Sequence, residues 1–256
     1  MQSIILSKTN KCKYESMSRA LNFAGIHTSF PENEFEQHHY DLIFSDHLCI
    51  NTAIRLQKNE GGVIICTDDL GEIPHINYEV RYALDTLHSG KEIDFLKCDV
   101  AYAGEWGDEA SQIMPLITCM TQKFTTKIFG PPQMRNIEGY FWDFKTCDIA
   151  KNAKISLLLP SSRPEHKWEA IASERHVIEY SGDHESLLSD ISNILDNYTY
   201  YASQSEAVKK DAWNYETYFH EIICVLNRIN IKYDDPRLQP IIESVNYKYD
   251  ENRLYS

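Results

Sequence analysis

Short apolar runs alternate with amphipathic stretches along most of the chain. Ser3–Ser7 is predicted as a strand. It is followed by a helix over Glu15–Ala24, with Met17, Ala20, Leu21 and Ala24 on one face. Ile26–Phe30, Asp41–Ser45 and Gly62–Thr67 read as three further strands, with a helix over His47–Gln57 between the last two. A second series begins with the strand Asp99–Ala103, which runs into Gly104. Ala110–Thr121 is helical with a break or kink at Pro115, and Phe124–Phe129 is a strand closed by Gly130-Pro131-Pro132. A helix over Lys145–Asn152, a strand over Ile155–Leu159, a helix from Trp168 to Ser173 and a strand over His176–Glu179 follow. Helices over Glu185–Asn197 and Glu206–Arg228 precede a tyrosine-rich tail. Strands of five or six residues that are apolar on both faces, separated by helices, are what a buried parallel sheet requires. The pattern predicts an α/β fold of two Rossmann-like lobes facing a cleft, with C-terminal helices. We place the lobes at 1–97 and 98–205 and the C-terminal helices and tail at 206–256.

Composition narrows this picture. At 256 residues and 43% hydrophobic content the chain has enough apolar material for packed cores. The net charge of −13 disfavours a large basic surface for a polyanion. No apolar run approaches the length of a membrane span, and the opening residues are too short a run for a signal peptide. Seven scattered cysteines without a C-x-x-C pair predict reduced thiols in a cytoplasmic protein. His38 and His39 are adjacent and diverge, and no His or Cys pair has zinc spacing, so no metal site is expected. P-loop, G-x-G-x-x-G and G-x-S-x-G signatures are missing from the sequence.

The second series resembles the donor-binding lobe of the GT-B glycosyltransferases from about Cys98 to Asn197. The resemblance is carried, in order, by four stretches. They are Asp-Val-Ala-Tyr-Ala-Gly-Glu-Trp from Asp99, Lys-Ile-Phe-Gly-Pro-Pro from Lys127, the helix and strand from Asp148, and Ser162-Arg-Pro-Glu-His-Lys-Trp-Glu-Ala before His-Val-Ile-Glu-Tyr. It implies a glycosyltransferase with a nucleotide-sugar donor, probed first as a UDP-sugar, and no tightly bound cofactor. A helix starting near Lys167-Trp168-Glu169 would turn its free N–H groups on a diphosphate, with Arg163, His166 and Lys167 just before it. The resemblance implies that Glu169 accepts hydrogen bonds from the donor ribose. Gly104, with no Cβ, would let a phosphate approach the backbone next to Glu105 and Trp106, while Gly130 and Tyr140 would flank the base. Glu105, Asp108 and Glu109 depart from the basic residues common there in the family.

An inverting transfer needs a base at the acceptor, and Asp46, Asp68 and Asp69 stand at strand ends of the first lobe. A retaining reaction needs none. The acceptor is a hydroxyl of a saccharide, a protein or modified DNA. The last is suggested by resemblance to compact phage enzymes that glycosylate hydroxymethylcytosine, and by Lys11, Lys13 and Tyr14 in the loop after the first strand. The alternative is a non-catalytic two-lobed protein that binds a nucleotide or a partner chain.

Overall fold

The computed structural model describes residues 1–8, 11–30, 39–87, 90–103, 110–129, 140–141, 146–160, 162, 164–215, 217–231, 235–243 and 245. They form two compact units: Met1–Leu87 with the described residues from Asn214 onward, and His88–Trp213.

The first unit opens with β1 (Gln2–Leu6), α1 (Lys11–Phe23), β2 (His27–Ser29), β3 (Leu42–Ser45), α2 (Ile50–Glu60), β4 (Val63–Cys66) and β5 (His75–Asn77). All strands are parallel in the order β2-β1-β3-β4-β5. Side chains alternate across a strand, so each run feeds two cores. Ile5, Leu42, Phe44 and Ile65 face α1, whereas Ile4, Leu6, Ile43 and Ile64 face Ala53 and Leu56 of α2. This two-sided burial explains why the strands read as continuous apolar runs.

The second unit contains β6 (Cys98–Ala103), α3 (Ala110–Lys123), β7 (Thr126–Phe129), β8 (Tyr140–Phe141), α4 (Thr146–Asn152), β9 (Ala153–Leu158), α5 (Pro164–Ala172), β10 (His176–Glu179), α6 (His184–Asp196) and α7 (Tyr198–Tyr215). Its parallel order is β10-β9-β6-β7-β8. Val100, Tyr102, Ile128, Ile155 and Leu157 pack on Leu116, Ile117 and Met120 of α3 and on Leu187, Ile191 and Ile194 of α6. Pro115 does not end α3, because burial of Leu116, Ile117 and Met120 outweighs one missing backbone bond. The segment before β6, placed with the first lobe from the sequence, is tied here. Lys91 N donates to Asp148 Oδ1 (2.7 Å), Ile93 N donates to Asn152 Oδ1 (2.8 Å), and Asn152 Nδ2 donates back to Lys91 O (2.7 Å).

The chain then returns to the first unit as α8 (Tyr218–Arg228) and a helical turn at 239–243. The single helix expected over Glu206–Arg228 is interrupted at Thr217, whose φ of −104° and ψ of 162° are extended. Thr217 N donates to His220 Nδ1 (3.1 Å) and His220 Nε2 donates to Asn214 O (2.8 Å), which fixes the Nε2–H tautomer. Tyr218, Phe219, Ile222, Ile223, Val225 and Leu226 complete the core under α1. Glu221 is buried and accepts from Tyr78 Oη (2.6 Å), Arg81 N (3.0 Å), Arg81 Nε (3.0 Å) and Arg81 Nη2 (2.8 Å). Burial, with Glu221 beside it, pushes the Tyr78 hydroxyl far above its ordinary range, so Tyr78 stays a donor. Glu221→Ala strands these donors and is expected to destabilise the first unit by about 3 kcal/mol, read as a lower urea midpoint.

Candidate functional site

Both strand orders contain a point where the sequence direction reverses. It falls between β1 and β3 in the first sheet and between β6 and β9 in the second. In open parallel sheets the connections on either side of such a point leave in opposite directions, so a crevice opens beyond the carboxyl ends of the two strands.

At the β6/β9 pair of the second unit a small cavity of about 20 Å³ is lined by Ala101 and Ala103 of β6, Ser156, Leu157 and Leu158 of β9, Ile149 and Ala150 of α4, and His166 and Glu169 of α5. The helix begins at Pro164, earlier than the sequence suggested, because proline is preorganised for the first helical position and lacks an N–H that would be unpaired there. His166 therefore lies in the first turn and Glu169 in the second, neither of them on a preceding loop. His166 is only 8% exposed, packed inward at the crevice. Leu159 and Ser162 exchange bonds, with Leu159 N on Ser162 Oγ (2.9 Å) and Ser162 N on Leu159 O (2.8 Å), so the turn into α5 is held from within. Lys167 points elsewhere: its Nζ donates to Glu179 Oε1 at 2.8 Å, with both side chains about half exposed. Tyr140 opens β8 beside Ile128, but its side chain, like Gly104, Glu105, Trp106, Gly130 and Arg163, lies outside the described residues.

In the first unit the three expected carboxylates part company. Asp46 is buried and occupied: Ser7 Oγ (2.9 Å) and Lys8 N (2.8 Å) donate to Oδ2, and Cys49 N (3.0 Å) donates to Oδ1. It staples the end of β3 to the turn after β1 at the reversal point. Asp69 Oδ1 accepts from Gly71 N (2.9 Å), a local turn bond. Asp68 differs. Its Oδ2 is shielded from solvent and has no hydrogen-bond partner among the described residues. It stands one residue beyond Thr67, which lines a cavity of about 110 Å³. A shielded carboxylate oxygen left open in this way can accept a hydrogen bond from a hydroxyl.

That cavity also takes in Lys13, Tyr14, Asp46, Tyr78 and Glu79. Lys13 and Tyr14 were expected in an exposed loop. They lie inside α1, which starts at Lys11, and Lys13 is only 5% exposed. Lys13 precedes Met17, Ala20 and Leu21 by four, seven and eight positions, so helical geometry puts it on the core face. Its Nζ donates to Val80 O (3.0 Å) and sits 5.1 and 5.2 Å from the ring centres of Tyr14 and Tyr82. Burial, then the Asp46 charge, pushes the Tyr14 hydroxyl up to about 12. Arg19 is bound to Asp85 at 2.6 Å. The side chain of Lys11 is outside the described residues. Sequence reading missed Tyr78 and Glu79, which follow the three-residue β5. The alternation His75-Ile76-Asn77-Tyr78 was the available signal.

Among the described residues no group of His, Cys, Asp and Glu is arranged to hold a metal ion, and no helix is long and apolar enough to cross a membrane. The described cysteines are free thiols, with Cys49, Cys66, Cys98 and Cys147 buried.

No known protein family matches the chain by sequence, and no curated protein matches it. Solved structures do match. An α1,3-fucosyltransferase with GDP gives a TM-score of 0.43 at 10% identity over 80% of this chain and 81% of that one. The GDP-fucose form gives 0.39 at 11% identity over 80% and 81%. A third α1,3-fucosyltransferase structure gives 0.40 at 10% identity over 92% and 90%. Likeness at this level carries no functional weight.

Proposed function

We propose that the chain is a glycosyltransferase whose second unit binds a nucleotide-sugar and whose first unit presents the acceptor hydroxyl. The observation that carries this reading is the crevice between β6 and β9. The first turns of α5 and the carboxylate of Glu169 stand where an open parallel sheet takes nucleotide ligands. The ordered motifs from Cys98 to Asn197 support it. Glu169 accepts from the ribose hydroxyls, and the N-terminal turn of α5, with Arg163, receives the leaving diphosphate in place of a metal. In the first unit Asp68 is the base for an inverting transfer. Lys13 and Tyr14 shape the acceptor cavity from inside.

Titration calorimetry against UDP, GDP and ADP tests donor binding and identifies the base. UDP is the first choice of donor. Glu169→Ala is expected to weaken the preferred nucleotide by about 10- to 100-fold, the loss of a charge-assisted hydrogen bond. A folded variant with wild-type affinity removes the ribose role. Transfer of labelled sugar to hydroxymethylcytosine DNA, to unmodified DNA and to oligosaccharides then separates the acceptor classes.

A further inference from the structure

The second unit carries another concave site at the opposite ends of its strands. It is a groove of about 540 Å³ beside the starts of β6 and β9, and it shares no lining residue with the β6/β9 crevice. In a chain of net charge −13, this groove has four cationic side chains, Lys97, Lys151, Lys154 and Arg175, against the two carboxylates Glu92 and Asp99. We propose that it binds a phosphate-bearing small molecule, with Arg175, Lys151 and Lys154 as the anchoring groups. This inference does not use the proposed transfer reaction.

The cations are held in place. Arg175 donates from Nε (3.2 Å) and Nη2 (2.8 Å) to Lys151 O at the end of α4, and from Nη1 to Tyr198 Oη (3.4 Å). Five guanidinium N–H groups with three bonds leave two for a ligand, in a fork whose plane is already fixed. Lys154 Nζ donates to Asp99 Oδ1 (2.8 Å) and lies 5.7 Å from the Tyr198 ring centre, so its position is set while two of its three protons remain. Lys151 uses its carbonyl for Arg175, and its ammonium has no acid partner among the described residues. The neighbouring Glu174 registers the local field. Its carboxyl is held below its ordinary range by the Lys209 hydrogen bond first, and by the charges of Lys151 and Arg175 as well. Lys97 is tied to Asp94 at 2.7 Å, which leaves Lys151, Lys154 and Arg175 against Glu92 and Asp99, and an oxyanion takes the remaining donors. A concave volume of this size suits a small phosphorylated molecule, whereas a polymer tracks an extended groove.

Calorimetry of the whole chain with inorganic pyrophosphate tests the site. Wild type is expected to bind, Lys151→Glu to weaken binding about tenfold or more, and Arg163→Ala, which removes a cation from the start of α5, to leave binding in the groove unchanged. An unchanged urea midpoint certifies that the Lys151→Glu variant is intact. Arg175→Lys keeps the charge but removes the fork, and is expected to lose affinity too. Wild-type affinity in Lys151→Glu overturns the proposal. So does loss of binding in Arg163→Ala alone, which returns the anion to the N-terminal turn of α5. Binding of a short oligothymidylate that depends on Lys151, with none of pyrophosphate, also overturns it in favour of a nucleic-acid surface.

Discussion

Replacing Gly62 with alanine is expected to destabilise the first unit by roughly 4 kcal/mol, enough to leave little folded protein under mild denaturant. Gly62 precedes β4 with φ at +89°, where an L side chain is strained. Space is the larger problem. A Cβ at this position falls 2.0 Å from the carbonyl oxygen of Tyr40 and 3.1 Å from its carbon, and both are backbone atoms. The backbone cannot withdraw cheaply, because Val63 N is bonded to Asp41 O at 3.0 Å and β3 and β4 pair from Leu42 and Val63 onward. Gly25 supplies the comparison. Its φ is +77°, but a Cβ there meets nothing within 4 Å. Gly25→Ala is expected to lose only about 1 kcal/mol, the strain without the collision. Urea unfolding of the two variants checks the difference, and equal losses would mean that the contact with Tyr40 relaxes freely.

The largest effect on activity is expected at Asp68. Asparagine keeps the size and the hydrogen-bonding reach of the side chain but cannot take a proton. Asp68→Asn is expected to lower kcat by about 10²-fold or more while nucleotide affinity holds. Asp46→Asn is predicted to act differently. Asp46 already holds three donors at the reversal point of the first sheet, so its loss appears as instability before it appears in turnover. Asp69 is committed to a turn. Single-turnover kinetics with the preferred donor separate the three variants. Normal turnover in Asp68→Asn leaves a mechanism that needs no base from this strand end.

The parallel α/β architecture was legible because the strands are buried on both faces, and runs such as Ile64-Ile65-Cys66 have no other use in a folded chain. Short edge elements were not legible. Tyr140–Phe141 forms two residues of strand, too short for a periodic signal, and His75–Asn77 offers only one brief alternation with polar residues at both ends. The start of α5 was misplaced because Pro164 was read as loop, although proline at a first helical position is a start signal. The break before α8 escaped notice for a chemical reason. The residue closing the Thr217 turn is His220, where Glu or Gln is the usual sign. At the candidate site, charge misled: Lys13 reads as a surface cation, and only carrying the helical face of Met17 and Leu21 back one turn places it inside. The strand-end carboxylates were identifiable as a group. Their separation into one stapling residue, one turn residue and one open acceptor depended on partners far away in the sequence, such as Ser7 for Asp46.

The return of the chain to its first unit has a consequence for biosynthesis. The core that contains α1 includes Tyr218, Phe219, Ile222, Leu226, Leu238 and Ile241, so the cluster made first lacks part of its apolar filling until those residues have left the ribosome. The second sheet draws its helices from residues 110–194 and closes while synthesis is still under way. Order of assembly therefore runs against order of translation. For the time needed to make the residues between Leu87 and Tyr218, α1 lacks the helix that packs on it, and it is during this interval that the nascent chain is open to chaperones and to aggregation.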